Sequence, residues 1–229
     1  SNTNNVINVY FVPSDKVNPS ITVGNYDHHT VYSGETFKNT INVNDNYGLN
    51  TVASTSDSAI TMTRNNNELV GQAPNVTNST NKIVKVKATD KSGNESIVSF
   101  TVNIKPLNEK YRITTSSSNQ TPVRISNIQN NANLSIEDQN RVKSSLSMTK
   151  ILGTRNYVNE SNSDVRSQVV SKVNRSGNNA TVNVTTTFSD GTTNTITVPV
   201  KHVLLEVVPN TRTTVRGQQF PTGKGTSPN

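Results

Sequence analysis

Asp45-Asn46, Asp57 and Asp90 stand in or beside stretches that read as loops between short strands. Carboxylate oxygens gathered there could hold calcium, which favours hard oxygen ligands. The same residue types also build turns, because Asp and Asn side chains fold back onto nearby backbone N–H groups. The turn reading is preferred and no metal site is expected, since no loop carries the spaced acidic series of a calcium-binding helix–loop–helix. His28, His29 and His202 are the only imidazoles. A metal would need further ligands beside them, so they read as exposed loop residues. The remaining acids are scattered singly, no Ser or Thr lies in a nucleophile-elbow pattern, and no spacing pairs two carboxylates as glycoside hydrolysis requires. Absence of cysteine removes disulfides, thiolate metal sites and a Cys nucleophile. Neither an enzyme nor a cofactor is expected. A Lys and an Asn near strand ends could condense into a side-chain amide, but no acid stands out as its catalyst.

The elements that must position these residues are strands. From Lys82 to Lys105, Val84, Val86 and Ala88 alternate with Lys85, Lys87 and Thr89. After Asp90-Lys91-Ser92-Gly93-Asn94, Val98, Phe100, Val102 and Ile104 alternate with Ser99, Thr101, Asn103 and Lys105. Period-two alternation marks half-buried strands, so this stretch predicts a long antiparallel hairpin with a wet outer face. Upstream, Ile21/Val23, Phe37/Ile41/Val43, Leu49 to Ala53, Ile60 to Met62 and Leu69-Val70 read as further short strands, with Ser33-Gly34 and Asp45 to Gly48 as turns. Seven or so strands with regular turns predict an immunoglobulin- or cadherin-like β-sandwich. Beyond Pro106, residues 107 to 111 read as a linker. Val123, Ile125 and Ile128 suggest a strand, and Ser135 caps a helix of roughly three turns in which Glu137 pairs with Arg141 and Val142 shares a face with Leu146. Residues 153–164 read as a polar loop. Strands follow around Val165/Val169/Val173, Val182/Val184/Phe188 and Ile196/Val198/Val200, and Asp190-Gly191 signals a hairpin between the last two. A helix over a small sheet gives α+β, β-grasp-like.

The domain reading is therefore residues 1–12 as the end of a preceding module, 13–106 as the sandwich, 107–208 as the α+β domain and 209–229 as the start of a following module. Strand-then-Pro endings at Pro13, Pro106 and Pro209 mark the joints. A loose echo of residues 30–37 in residues 214–220 supports tandem modules. Hydrophobic residues make up only 30% of the 229, with no Trp, so the cores must be thin. The net charge of +7 is uneven: residues 13–107 carry eight basic and eight acidic side chains, whereas 108–208 carry eleven and seven. Such an excess suits anionic polymers or acidic proteins. No basic cluster interleaved with aromatics points to nucleic acid, and no apolar run is long enough to span a membrane. The chain reads as an excerpt, and as a monomer.

Four segments carry a resemblance: NVYFVPSDKVNPSITVGNY (8–26), VYSGETFKNTINVNDNYG (31–48), VKATDKSGNESIVSFTVNIKPLNEKYR (86–112) and FSDGTTNTITVPVKHV (188–203). Together, in order and over nearly the whole chain, they resemble the giant staphylococcal extracellular-matrix-binding protein family. The resemblance implies a protein attached to the bacterial cell wall, with a non-repetitive N-terminal region followed by helical repeats, and places this chain in the non-repetitive part. It implies fibronectin binding and a part in surface integrity. Two roles follow for the chain itself: a non-catalytic stalk or spacer of an adhesin, or a direct binding module for a matrix protein or an anionic wall glycan.

Overall fold

The structure, a computed structural model, describes residues 4–10, 14–24, 28–46, 48–56, 61–65, 67–151 and 163–204. The first eight strands are β1 (Ser20–Val23), β2 (His28–Tyr32), β3 (Thr36–Asn44), β4 (Leu49–Ser56), β5 (Thr61–Asn65), β6 (Glu68–Gln72), β7 (Thr80–Asp90) and β8 (Glu95–Lys105). A short 3-10 turn at Leu107–Glu109 leads to β9 (Tyr111–Thr115) and β10 (Val123–Ile125). Helix α1 (Ile136–Ser144) is followed by β11 (Leu146–Lys150), β12 (Val165–Val170), β13 (Asn174–Ser176), β14 (Asn179–Phe188) and β15 (Thr193–His202). The chain is mainly β.

Two compact units emerge. One contains Ser1–Ser116, Leu146–Val170 and Asn183–Thr197; the other contains Ser117–Ser145, Ser171–Val182 and Val198–Asn229. Within the first, two four-stranded sheets, β1-β3-β6-β5 and β2-β8-β7-β4, form the sandwich. Alternation decides which side chains meet between them. Phe37 and Ile41 of β3 and Leu69 of β6 pack with Val31 of β2, Val84 and Val86 of β7, and Phe100, Val102 and Ile104 of β8. Phe37 and Phe100 meet edge to face, with centroids 6.4 Å apart, the arrangement ring quadrupoles prefer. β7 and β8 pair antiparallel from Thr80↔Ile104 to Thr89↔Glu95, so Lys85 faces Ser99 and Lys87 faces Ile97 on the outer side. Gly93, at φ +89°, supplies the left-handed residue that the turn between them requires. This is the expected hairpin in an immunoglobulin- or cadherin-like sandwich. The β2–β8 pair is parallel, from His28↔Thr101 to Tyr32↔Lys105.

The same unit holds β9 antiparallel to β11 and β12 antiparallel to the end of β14. The second unit holds β13 against the start of β14, and β10 parallel to the end of β15 from Val123↔Val200 to Ile125↔His202. The hairpin signal at Asp190-Gly191 is realised, with Gly191 at φ +88° and its N–H donating to the Phe188 carbonyl at 2.8 Å.

Several local readings differ from the sequence expectation. Residues 4–10 form no strand; Val6, Ile7, Val9 and Tyr10 are at least 69% exposed, so their apolar run is not used by the described residues. Residues 107–111 are not slack, because Leu107 is fully buried and Lys110 nearly so. The helix stops at Ser144, and Leu146 opens β11 instead of extending the apolar face of the helix. Ser135 does cap it, accepting from the Asp138 N–H at 3.2 Å. Arg141 pairs with Asp138, three residues back, in place of Glu137. The reading of residues 153–164 as a loop falls almost wholly outside the described residues, and that of 209–229 entirely so. The division into modules at 12/13, 106/107 and 208/209 remains a proposal.

Candidate functional site

Among the described residues, the first unit holds two clusters of ionisable side chains. The turn joining β7 to β8 builds one of them. Asp90 is buried, and its Oδ1 accepts the Ser92 and Asn94 N–H groups at 2.9 and 2.8 Å. Its Oδ2 accepts the Asn94 side-chain amide at 2.8 Å. That amide also donates to the Asp15 carbonyl at 3.0 Å, and Asp15 Oδ1 accepts the Val17 N–H at 3.0 Å. Carboxylate oxygens of Asp15, Asp45 and Asp90 lie within 4.8 Å of one another. The fold thus brings together two of the three aspartates singled out in the sequence and adds Asp15, which alternation and turn signals gave no reason to select. Asp57 lies outside the described residues. Burial raises the Asp90 carboxyl, but hydrogen bonds from Asn94, Asp15 and Ser92 outweigh that and hold it below the ordinary aspartate range. The oxygen donors are of the type calcium accepts, although calcium takes about six to eight of them, and the turn already uses most of those on Asp90. His28 and His29 fall on β2, and His202 ends β15, where its Nδ1 accepts the Leu204 N–H at 3.1 Å.

The second cluster is set by the segment after β8. Pro106 ends the strand, the 3-10 turn buries Leu107, and Lys110 follows with its side chain turned inward. Lys110 Nζ lies 2.7 Å from Glu35 Oε2 and 3.1 Å from Asp164 Oδ2, and all three side chains are at most 3% exposed. Glu35 stands in the Ser33-Gly34 turn between β2 and β3, its Oε1 accepting the Tyr32 N–H at 2.8 Å. The Tyr111 hydroxyl donates to Asp164 Oδ2. Nζ also sits 5.9 Å from the Tyr32 ring centroid and 5.4 Å from that of Tyr111. The aromatic wall continues into a small core of Tyr32, Leu107 and Phe188, in which Phe188 stacks on Tyr111 at 5.6 Å and 9°.

Burial pulls the Lys110 ammonium down. The hydrogen bond and charge of Glu35, then those of Asp164, outweigh it and raise the group above an ordinary lysine. Burial, together with the hydrogen bond to Asp164, pushes the Tyr111 hydroxyl up to about 12, while the Lys110 charge opposes. Nearby, Asp190 Oδ2 accepts the Leu107 N–H at 2.7 Å, and its Oδ1 accepts the Thr192 N–H at 3.0 Å. These bonds bring its carboxyl below the usual range despite burial. Sequence reasoning missed this cluster. Glu35, Lys110 and Asp164 lie 75 and 54 positions apart, and no local pattern marks any of them.

A shallow cleft of about 300 Å3 opens beside Tyr111, lined by Asn108, Arg112, Ile113, Ile151 and Thr195 among others. In the second unit a cleft of about 590 Å3 is lined by Ser126, Gln129, Arg175 and His202 among others. Asp138 there is buried and accepts the Ser126 N–H at 2.9 Å. Burial raises its carboxyl, but the Ser126 bonds and the Arg141 charge more than compensate and lower it.

The described residues define a mainly β protein whose first unit holds an immunoglobulin- or cadherin-like sandwich of two four-stranded sheets. No protein-family model matches the chain. It is 52% identical over 228 residues, 99% of its length, to extracellular matrix-binding protein EbhB of Staphylococcus aureus strain Newman. It is 53% identical over the same length to extracellular matrix-binding protein ebh of strain MRSA252. The chain is accordingly Ebh-like from end to end. It spans only 2–3% of the length of these relatives. Among solved structures, the protocadherin GammaB4 extracellular domain aligns with 80% of this chain and 32% of its own, at 10% identity and a TM-score of 0.31, a likeness too low to carry an argument. No helix among the described residues is long and apolar enough to cross a membrane.

Proposed function

We propose that this chain is a non-enzymatic part of a surface-exposed, matrix-binding adhesin, attached to the bacterial cell wall, and that it serves chiefly as a stalk or spacer. Similarity along 99% of the chain to proteins named for extracellular-matrix binding carries the adhesin reading. The spacer reading draws on the outer face of the β7–β8 hairpin. Lys85, Lys87, Ser99, Thr101 and Asn103 dominate it, and the exposed Ile83 and Ile97 are the only large apolar side chains there. Tight protein interfaces are anchored by aromatic and Arg side chains in dry pockets, and this face offers neither. The basic surplus adds loose, salt-screened attraction to acidic partners, among them fibronectin or anionic wall polymers.

Solid-phase binding of the 229-residue chain to fibronectin and to purified wall polymer, titrated with salt, tests this. Weak binding that vanishes at high salt is expected. Salt-resistant nanomolar binding to one matrix protein would overturn the spacer reading in favour of a specific binding module.

A further inference from the structure

We propose that the Lys110 side chain forms an intramolecular amide with Asp164, assisted by Glu35, and so ties the segment after β8 covalently to the start of β12. The geometry carries the proposal. A lysine amine in direct contact with two carboxylates, all three groups at least 97% buried, is rare. A buried pair of this kind gains little net stability over a well-packed apolar substitute, so stability alone does not account for it. Aromatic rings of Tyr32 and Tyr111 flank Nζ and keep bulk water from the reacting atoms, and the reaction must expel water.

The roles follow from the contacts. Glu35 is held in place through Oε1 by the Tyr32 N–H, which leaves Oε2 at 2.7 Å from Nζ to take a proton from the ammonium. The neutral amine then attacks Asp164 Cγ. Tyr111, donating to Asp164 Oδ2, is placed to stabilise the negative charge that grows on that oxygen. As the new C–N bond forms, Nζ gives up a second proton and the other C–O bond of the carboxylate breaks. The departing oxygen leaves as water, carrying that proton and the one Glu35 returns. An ammonium and a carboxylate thus become one amide and one water, Glu35 is regenerated, and no oxidant or metal is involved. Proximity supplies most of the acceleration, since the partners are already at contact distance.

Intact-mass spectrometry of the 229-residue chain, with folding confirmed by circular dichroism, is the test. The expected mass is that of the sequence less one water, and proteolytic mapping should yield a single branched peptide joining Lys110 to Asp164. Lys110→Arg, which keeps the charge but cannot form this amide, should restore the full mass. Glu35→Gln, which keeps the shape but cannot accept the proton, should leave most molecules unlinked. A folded wild-type chain of full mass would overturn the proposal. A water loss without the branched peptide would do the same, because it would mark a cyclised aspartate elsewhere. A branch from Lys110 to Glu35 would refute the assigned roles of the two acids, and a Glu35→Gln chain that cross-links fully would remove Glu35 from the mechanism. Should Lys110→Arg fail to fold, the wild-type and Glu35→Gln masses decide alone.

Discussion

Phe188→Ala tests whether the sandwich and the strands that follow it unfold as one body. Phe188 is fully buried, stacks on Tyr111 and shares a core with Leu107 and with Tyr32 of β2. Truncating a buried Phe to Ala costs about 3–5 kcal/mol, through lost transfer energy plus the cavity left behind. The upper part of that range is expected here, because the cavity walls are tethered. The Phe188 N–H still donates to Thr192 at 2.8 Å and Asp190 still holds the Leu107 N–H, so neither side can collapse freely into the gap. With a urea slope of roughly 2 kcal/mol/M, a loss of about 4 kcal/mol lowers the midpoint by about 2 M. Hydrogen exchange should show where the loss falls. If the first unit is cooperative, amides of β7 and β8 lose protection together with those of β14, although Phe188 touches neither β7 nor β8 in the clusters described. Refutation would be wild-type exchange in β7 and β8 beside weakened protection in β14. That result would favour an independent sandwich ending at Pro106.

Three further outcomes are expected. A Cβ added at Gly71 would come within 2.8 Å of three ring carbons of the fully buried Phe37, its cross-strand partner; Gly71→Ala should therefore destabilise by about 1–3 kcal/mol, and Phe37→Leu in the same chain should recover part of that, whereas strictly additive losses in denaturant unfolding would discount the clash. Chelator should leave the melting temperature unchanged, because the turn hydrogen bonds already hold Asp90 and Asp15; a clear fall that calcium reverses would make Asp15, Asp45 and Asp90 a metal centre. Asp90, Asp138 and Asp190 all have carboxyls lowered by folding, so their stabilisation is present above the unfolded aspartate value of about 3.9 and drains away as pH falls through it towards their lower folded values; a midpoint in urea that stays level as pH falls from about 5 to about 2 would contradict the burial and hydrogen bonding assigned to them.

The legibility of the fold tracked how local each cause was. The β7–β8 hairpin was readable because alternation of Val84, Val86 and Ala88 with lysines needs only one strand to be seen, and Gly93 marks its own turn. The same holds for Asp190-Gly191 and for the Ser135 cap. The strand ending expected before Pro13 is not formed over residues 4–10, for the opposite reason. An apolar run states that burial would be favourable but not that a partner exists, and residues 4–10 remain exposed. Strand β9 was missed because Tyr111 to Thr115 follows a charged segment that reads as linker. Its pairing with β11, from Leu146↔Thr115 to Lys150↔Tyr111, lies across the helix in sequence. Gly71 was legible in principle, since a glycine within a strand often marks a close approach, but only the register shows that Phe37 is what approaches.

Lys110 shows why the most reactive-looking group was the least legible. A lysine in a Pro-flanked segment reads as solvent-facing, because burying an ammonium alone is prohibitive. That inference is sound for one residue and reverses when two acids arrive from elsewhere. Glu35 is delivered by the turn after β2, and β2 is fixed in parallel register on β8. Asp164 is delivered at the start of β12, whose register is set by Val165↔Phe188. The aromatic contact of Phe188 with Tyr111 then closes the wall around the amine. Two strand pairings and one aromatic contact must therefore be correct before Lys110 can be buried. The charges do not direct the fold to this arrangement; the strand registers bring them together. A supposed linker is thereby fixed at Leu107 by Asp190 and at Lys110 by Glu35 and Asp164.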